Sequence, residues 1–180
     1  MAKLVSKRYA YALFEAGLEL NKLNDFKENL MDIVSILEKE PQLKIIFSHP
    51  KISKDEKKDI ISSLFEGKVS QEVLNFLYIL VDKRREGYLI DISKYFEELF
   101  NEHENIIEVT AITAVPMENK TMNKLTTVLT NKMNKTVKIK NVVDKEVIGG
   151  VLLKIENKVV DGTIKGQLNK MEKAIKNVSL

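Results

Sequence analysis

The sequence predicts a mainly α-helical protein, with an N-terminal six-helix antiparallel bundle followed by a small α/β domain. Residues 1–105 repeat apolar residues at helical spacing between short breaks, whereas alternating β-branched runs begin after residue 105. The charge changes at the same point. Residues 1–105 carry 16 Lys/Arg against 19 Asp/Glu, and residues 106–180 carry 13 against 7. We therefore predict two domains, 1–105 and 106–180.

Each of the six predicted helices lies between recognisable start and stop signals. Ser53 with Glu56 has the spacing of a capping box, as does Asp25 with Glu28. Pro41 suits the first turn of a helix. Short connections between such helices favour antiparallel neighbours. The predicted helices span about residues 4–23, 25–38, 41–47, 53–66, 70–85 and 88–104.

The second domain is predicted to mix strands and helices. Thr163 can cap a final helix, whose apolar residues recur at i, i+4, i+7 and i+11. The predicted strands span about 106–115, 136–143, 151–156 and 159–160, and the helices begin at about 118 and 164. The apolar residues of the final helix are Ile164, Leu168, Met171 and Ile175.

Two pairs of residues in this domain are predicted to shape the backbone first and to contact a partner second. Gly149-Gly150 suits a positive φ or a close backbone approach, because glycine has no Cβ. Asp161-Gly162 suits a turn that leads into the final helix. We interpret both pairs as structural turns.

The residue types offer little for catalysis or metal binding. The chain has no cysteine, which excludes disulfides and thiol nucleophiles. His49 and His103 lie far apart and outside any metal-ligand spacing, and there is no phosphate loop or nucleophile elbow. No apolar run approaches the ~20 residues of a transmembrane helix, and the start lacks the pattern of a signal peptide. We predict no catalytic residues, metal ligands or cofactors, and membrane contact only through partners.

Helices one and five carry more apolar surface than a simple bundle position needs. Residues 73–81, VLNFLYILV, are apolar almost all the way round. Such a helix is either the centre of the core or one wall of a groove for an amphipathic partner helix, and the pattern leaves both open. Helix one carries one stripe of Tyr9, Ala12, Leu13, Ala16 and Leu20, and a second of Ala10, Phe14 and Leu18.

Four segments spread over the chain resemble a known family. They are RYAYALFEAG (8–17), NFLYILVDKRREGYL (75–89), IIEVTAITAVPM (106–117) and VKIKNVVDKEVIGGVLLKIENKVVDGTIKGQL (137–168). The family is that of the delta subunits of F-type ATP synthases, whose mitochondrial counterpart is the oligomycin-sensitivity-conferring protein. Thr163 stands where the family often has Ser, and Lys165 stands where Arg is common.

The resemblance implies a non-catalytic stator subunit that resists rotary torque during proton-driven ATP synthesis. It implies that the bundle binds the N-terminal helices of the alpha subunits, and that the α/β domain binds the peripheral stalk of b subunits. It also implies a peripheral location on the cytoplasmic face of the plasma membrane. By position, the implied contacts of the bundle are Tyr9, Ala12, Ala16, Ile79 and Lys83.

The alternative is an RNA-binding helical regulatory protein. That class predicts a basic helical domain, whereas this bundle is net acidic and the basic charge lies in the α/β domain. We expect no nucleic-acid partner.

Overall fold

The computed structural model describes residues 2–49, 51–156 and 158–178, and the chain divides into two compact units, residues 1–100 and 101–180. The predicted fold class is confirmed: six helices come first, and a small four-stranded sheet with two further helices follows. The division between the units falls inside the sixth helix, about five residues before the predicted boundary at 105.

The helices of the first unit begin close to their predicted positions. Five of them follow in order: α1 (Ala2–Glu19), α2 (Leu23–Lys39), α3 (Pro41–Ser48), α4 (Lys54–Phe65) and α5 (Gln71–Asp82). A 3-10 turn over Glu86–Tyr88 leads into α6 (Leu89–His103).

The two predicted capping boxes have different outcomes. The box of Ser53 and Glu56 is confirmed, because each side chain accepts the other's backbone N–H. The box at Asp25 is wrong: α2 already begins at Leu23, with no side-chain cap at Lys22. Leu23 is buried and lies close to Gly17. A Cβ added to Gly17 would lie 2.9 Å from Leu23 Cδ2. Burial of this leucine extends the helix beyond the local polar signal.

Helix α5 is the centre of the first unit. Its side chains Val73, Leu74, Phe76, Leu77, Leu80 and Val81 are all buried. Phe26 of α2, Phe65 of α4 and Phe96 of α6 are also fully buried. The interpretation of helix five as a core helix is therefore confirmed for most of its surface, and Ile79 is its one large apolar residue with an exposed side chain.

The second unit is a four-stranded sheet in the order β2-β1-β3-β4. Strands β1 and β2 are parallel, as their crossover through α7 allows, and the other pairs are antiparallel. One face of the sheet packs against Leu129 of α7, and its buried residues include Val109 and Leu153. The elements are β1 (Ile106–Thr113), α7 (Asn119–Met133), β2 (Thr136–Val143), β3 (Val151–Ile155), β4 (Lys158–Asp161) and α8 (Ile164–Val178).

Within the described ranges, no helix is both long and apolar enough to cross a bilayer.

Candidate partner-binding surfaces

Helix α1 lies against both α5 and α6, and aromatic contacts show which flank faces which helix. Phe14 packs edge-on against Phe96 of α6, with ring centroids 6.1 Å apart. Tyr9 packs edge-on against Phe76 of α5, at 6.3 Å and an interplanar angle of 69°. The predicted stripe that contains Phe14 therefore turns toward α6, and the stripe that contains Tyr9 turns toward α5.

The five predicted contact residues lie on α1 and on or just after α5, the two helices that the contact between Tyr9 and Phe76 joins. Tyr9 and Ala16 are half-buried and Ala12 is exposed on α1. On the α5 side, Ile79 is 48% exposed, and Lys83, which follows the helix, is exposed. We call this surface the α1–α5 groove. Its two alanines leave room for a helix to approach closely, and Tyr9 and Ile79 offer apolar area.

Two members of the predicted stripe on α1 have other surroundings. Leu13 is 4% exposed and belongs to the core, whereas Leu20 lies just beyond the end of the helix and is 47% exposed. Leu4 and Tyr11 are more exposed than Tyr9, and helix periodicity puts them on the opposite flank of α1. Exposure alone therefore does not select the groove, whereas the contact of Tyr9 with Phe76 does.

An ion pair joins the end of α1 to the start of α5. Lys22 Nζ lies 2.8 Å from Glu72 Oε1, so the end of α1 meets the start of α5. Tyr9 precedes Lys22 in the chain, whereas Phe76 follows Glu72. The two contacts therefore succeed each other in opposite chain directions on α1 and α5, so the helices are antiparallel. The hydrogen bond from Lys22 holds the pKa of the Glu72 carboxyl below its usual range, and the same bond raises the pKa of Lys22.

The paired glycines of the second unit lie where a side chain would not fit. Gly150 has a φ of +82°, and a Cβ there would lie 2.4 Å from the carbonyl oxygen of Gly162. A Cβ on Gly149 would meet Ile164 Cδ1 at 2.8 Å, and one on Gly162 would meet the carbonyl oxygen of Val151 at 3.2 Å. The loop after β2 and the start of α8 are therefore packed backbone against backbone.

Asp161 and Thr163 form the start of α8. The Asp161 carboxylate accepts the Thr163 N–H at 2.9 Å, and the Thr163 hydroxyl accepts the Gly166 N–H at 2.9 Å, as a capping residue does. Hydrogen bonds from the Thr163 side chain and then its backbone hold the pKa of Asp161 below its usual range. Gly166 escaped sequence reasoning. A Cβ there would lie 2.3 Å from Asp161 Oδ2, because the turn at the start of α8 brings this carboxylate onto the first turn of the helix.

Helix α8 leaves its apolar stripe uncovered. Ile164, Leu168 and Met171 are 48%, 57% and 61% exposed, although their spacing is that of a packed helix face. The side chain of Ile175, predicted to continue the stripe, lies outside the described residues. An apolar helix face that meets solvent marks a candidate interaction surface.

The arrangement defines a class of protein: a two-unit scaffold in which α1 and α5 of the first unit and α8 of the second expose apolar side chains. Where the chain is described, no group of three or more acidic, histidine or cysteine side chains is placed to hold a metal ion.

Comparison with known proteins identifies the family. The profile of the family described as ATP synthase delta (OSCP) subunit matches residues 5–175. The chain is 46% identical to the ATP synthase subunit delta of Alkaliphilus oremlandii over 99% of both chains. It is 40% identical to that of Clostridioides difficile, again over 99% of both. The chain therefore belongs to the ATP synthase delta (OSCP) subunit family, and it is a non-catalytic stator subunit.

The fold also matches a chain in a solved complex. A chain of the mitochondrial ATP synthase hexamer of Toxoplasma gondii aligns with a TM-score of 0.75, at 18% identity, over 94% of this chain and 96% of that one. At this identity the match concerns the fold alone. Family membership rests on the sequence, and it removes the RNA-binding alternative.

Proposed function

We propose that the first unit binds an amphipathic α-helix in the α1–α5 groove, and that this helix is the N-terminal segment of an ATP synthase alpha subunit. The carrying observation is the contact of Tyr9 on α1 with Phe76 on α5, together with the exposure of Ala12 on α1 and of Ile79 on α5. The identity of the helix rests on the family.

The packing supports binding by a preformed surface. Six buried side chains hold α5, and Phe14 and Ala10 hold α1 from the opposite side, so neither wall must fold when the partner arrives. A preformed groove loses less conformational entropy on binding than a loop does. Such an interface suits a stator, which needs contacts that are released slowly under torque.

For the second unit we propose the peripheral stalk of b subunits as the partner, with Ile164, Leu168 and Met171 as its apolar contact. This unit carries the basic excess of the chain, and Lys165 and Lys170 lie on the same helix as the stripe. An acidic amphipathic helix is the complementary surface. Gly149, Gly150, Asp161 and Gly162 would act indirectly, by fixing where α8 begins.

The two interfaces together would link the catalytic head to the stalk and prevent the head from turning with the rotor. The protein would then lie at the cytoplasmic face of the plasma membrane, peripherally, and would touch the membrane only through its complex. Proton movement and nucleotide chemistry would belong to other subunits.

The test is calorimetric titration with a peptide that covers the N-terminal helix of the same organism's alpha subunit. Ile79→Asp is expected to weaken binding at least tenfold, because it puts a charge in an apolar contact. Met31→Asp is the matched control, since Met31 is an equally exposed apolar residue (53%) on α2, away from the groove. Ala12→Arg is expected to weaken binding by filling the groove.

Equal loss in the Ile79 and Met31 variants, or no binding by the wild type to a soluble, helix-competent peptide, would refute the groove. A matching titration of the stalk peptide against Leu168→Asp tests the second interface separately. Full affinity in that variant would rule out the α8 stripe.

A further inference from the structure

A cavity of about 470 Å³ lies in the first unit, between the N-terminus of α4 and the turn that follows α5. Four of its lining residues are cationic and one is acidic, and we call it the basic pocket. The charged residues are Lys51, Lys54, Lys57, Arg84 and Glu86.

Part of this charge is already neutralised inside the protein. The Lys57 side chain is only 7% exposed, forms an ion pair with Glu86 and donates to the carbonyl oxygen of Phe47. Lys54 is exposed and donates to the carbonyl oxygen of Asp82 at 2.8 Å. Within the described part of the chain, Lys51 and Arg84 form no ion pair, and both are exposed. The pocket therefore presents a net positive charge to solvent.

Arg84 occupies a position that favours glycine or asparagine. Its φ is +55°, and the Arg85 N–H bonds to the Leu80 carbonyl oxygen while the Arg84 N–H bonds to that of Val81, which is a Schellman ending. Left-handed residues also follow α1, α4, α6 and α7, and these are Asn21, Gly67, Asn105 and Asn134. A long cationic side chain at such a position is conformationally costly, and it places a guanidinium beside the pocket.

The construction of the pocket selects the kind of anion. The N-terminus of α4 could bind a phosphate through its free N–H groups. Here, however, Ser53 and Glu56 cap that terminus, and the Glu56 carboxylate occupies it. A ligand must therefore be held by the separate side chains Lys51 and Arg84, each of which can pair with its own carboxylate of a peptide segment.

We propose that the basic pocket binds a carboxylate-bearing peptide segment. Arg84 directly follows Lys83, a predicted groove residue, so a chain that leaves the groove at the end of α5 would meet the pocket next. That the segment flanks the partner helix rests on the proposed function. The preference of the pocket for acidic peptide does not.

The test is an NMR titration of the ¹⁵N-labelled full chain with the blocked peptide (Glu-Gly)₄. We expect the amide signals of Lys51, Arg84, Gly87 and Tyr88 to shift, and the matched (Gln-Gly)₄ peptide to leave them unchanged. The double variant Lys51→Gln/Arg84→Gln is expected to weaken binding about fivefold, as the loss of two exposed ion pairs would. The control variant Lys138→Gln/Lys140→Gln removes the same charge from exposed positions of β2 and should bind normally.

Equal binding of the acidic peptide by both double variants would overturn the proposal. Displacement of the peptide by inorganic phosphate at matched ionic strength would also overturn the proposal, since the pocket would then be a site for small anions. The (Glu-Gly)₄ peptide has no apolar helix face, so this result does not depend on whether the α1–α5 groove binds a helix. As a second measurement, Arg84→Gly should raise Tm by about 2–4 °C, because glycine adopts the left-handed conformation without strain. The same variant should weaken binding of the acidic peptide. A lower Tm would refute the assignment of Arg84 as a costly binding residue.

Discussion

The two units differ most in the composition of their cores. All seven Phe and five Tyr of the chain lie within residues 1–100, and residues 101–180 contain no Phe, Tyr or Trp. Phe26, Phe65 and Phe96 lead the fully buried side chains of the first unit. Among the described residues of the second unit, the largest side chain buried to the same degree is that of Val109.

This difference indicates how each unit is stabilised. The first unit encloses large side chains from several helices, so it can keep its shape while its groove stands open. The second packs α7 on one face of a four-stranded sheet and leaves the apolar stripe of α8 exposed. A small aliphatic core gives little stability beyond the entropy cost of folding. We therefore expect the second unit to be the less stable half, and to gain stability when a partner covers α8.

The largest expected effect is on the core of the first unit. Phe26→Ala should lower its free energy of unfolding by about 3–5 kcal/mol, because the side chain is fully buried and leaves a cavity. Urea unfolding followed by tyrosine fluorescence reports this unit alone, since every tyrosine lies in it. Met31→Ala, an exposed residue on the same helix, should change the free energy by less than ~0.5 kcal/mol. Similar losses in both variants would contradict this account of the core.

The next effect separates steric overlap from backbone strain. Gly150→Ala should destabilise the second unit by about 2–4 kcal/mol, because the new Cβ would both overlap the Gly162 carbonyl and sit at a positive φ. Gly67 in the first unit also has a positive φ (+75°), but open space surrounds its Cβ position. Gly67→Ala should therefore cost only about 1 kcal/mol. Urea melts followed by resolved amide signals of each unit measure both, and equal losses would show that the overlap is relieved by movement of the loop.

The comparison itself can be tested on the unmodified protein. Amide exchange should show β1 and β3 at least tenfold less protected than α5, a difference of about 1.4 kcal/mol in opening free energy. The reason is the smaller core under the sheet. Protection of the strands equal to or above that of α5 would reverse our ranking of the units.

The smallest effect is on the pH dependence of the second unit. The folded-state pKa of Asp161 is lowered by its hydrogen bonds with Thr163. Its contribution to stability is therefore complete above the unfolded pKa, near 4, and is lost as the pH falls through the lower folded value. Asp161→Asn should flatten the response of this unit between pH 5 and pH 2 (roughly the titration range of an aspartate). Thermal melts of both proteins across that range provide the measurement, and parallel curves would mean that Asp161 does not contribute.

The sequence was sufficient for those parts that local signals specify. Ser53 and Glu56 satisfy each other within one turn, so their capping box could be predicted from spacing alone. The second predicted strand, residues 136–143, agrees with β2 because β-branched alternation is also a local signal. Asp25 failed as a start of α2 because the burial of Leu23 against Gly17, a contact between two helices, outweighs a local cap.

What the sequence by itself determined is the order and type of the elements, the change of character near residue 105, and the family, because these depend on local periodicity and on the identity of residues in fixed order. What only the tertiary structure decided is which surface of each element stays uncovered. VLNFLYILV reads as apolar on every side, yet packing buries six of its residues and leaves Ile79 exposed. The same holds for Arg84 and Gly166, whose roles depend on the backbone geometry at the end of α5 and at the start of α8. Burial is a property of the assembled layers, and a periodic pattern cannot state which neighbour covers which face.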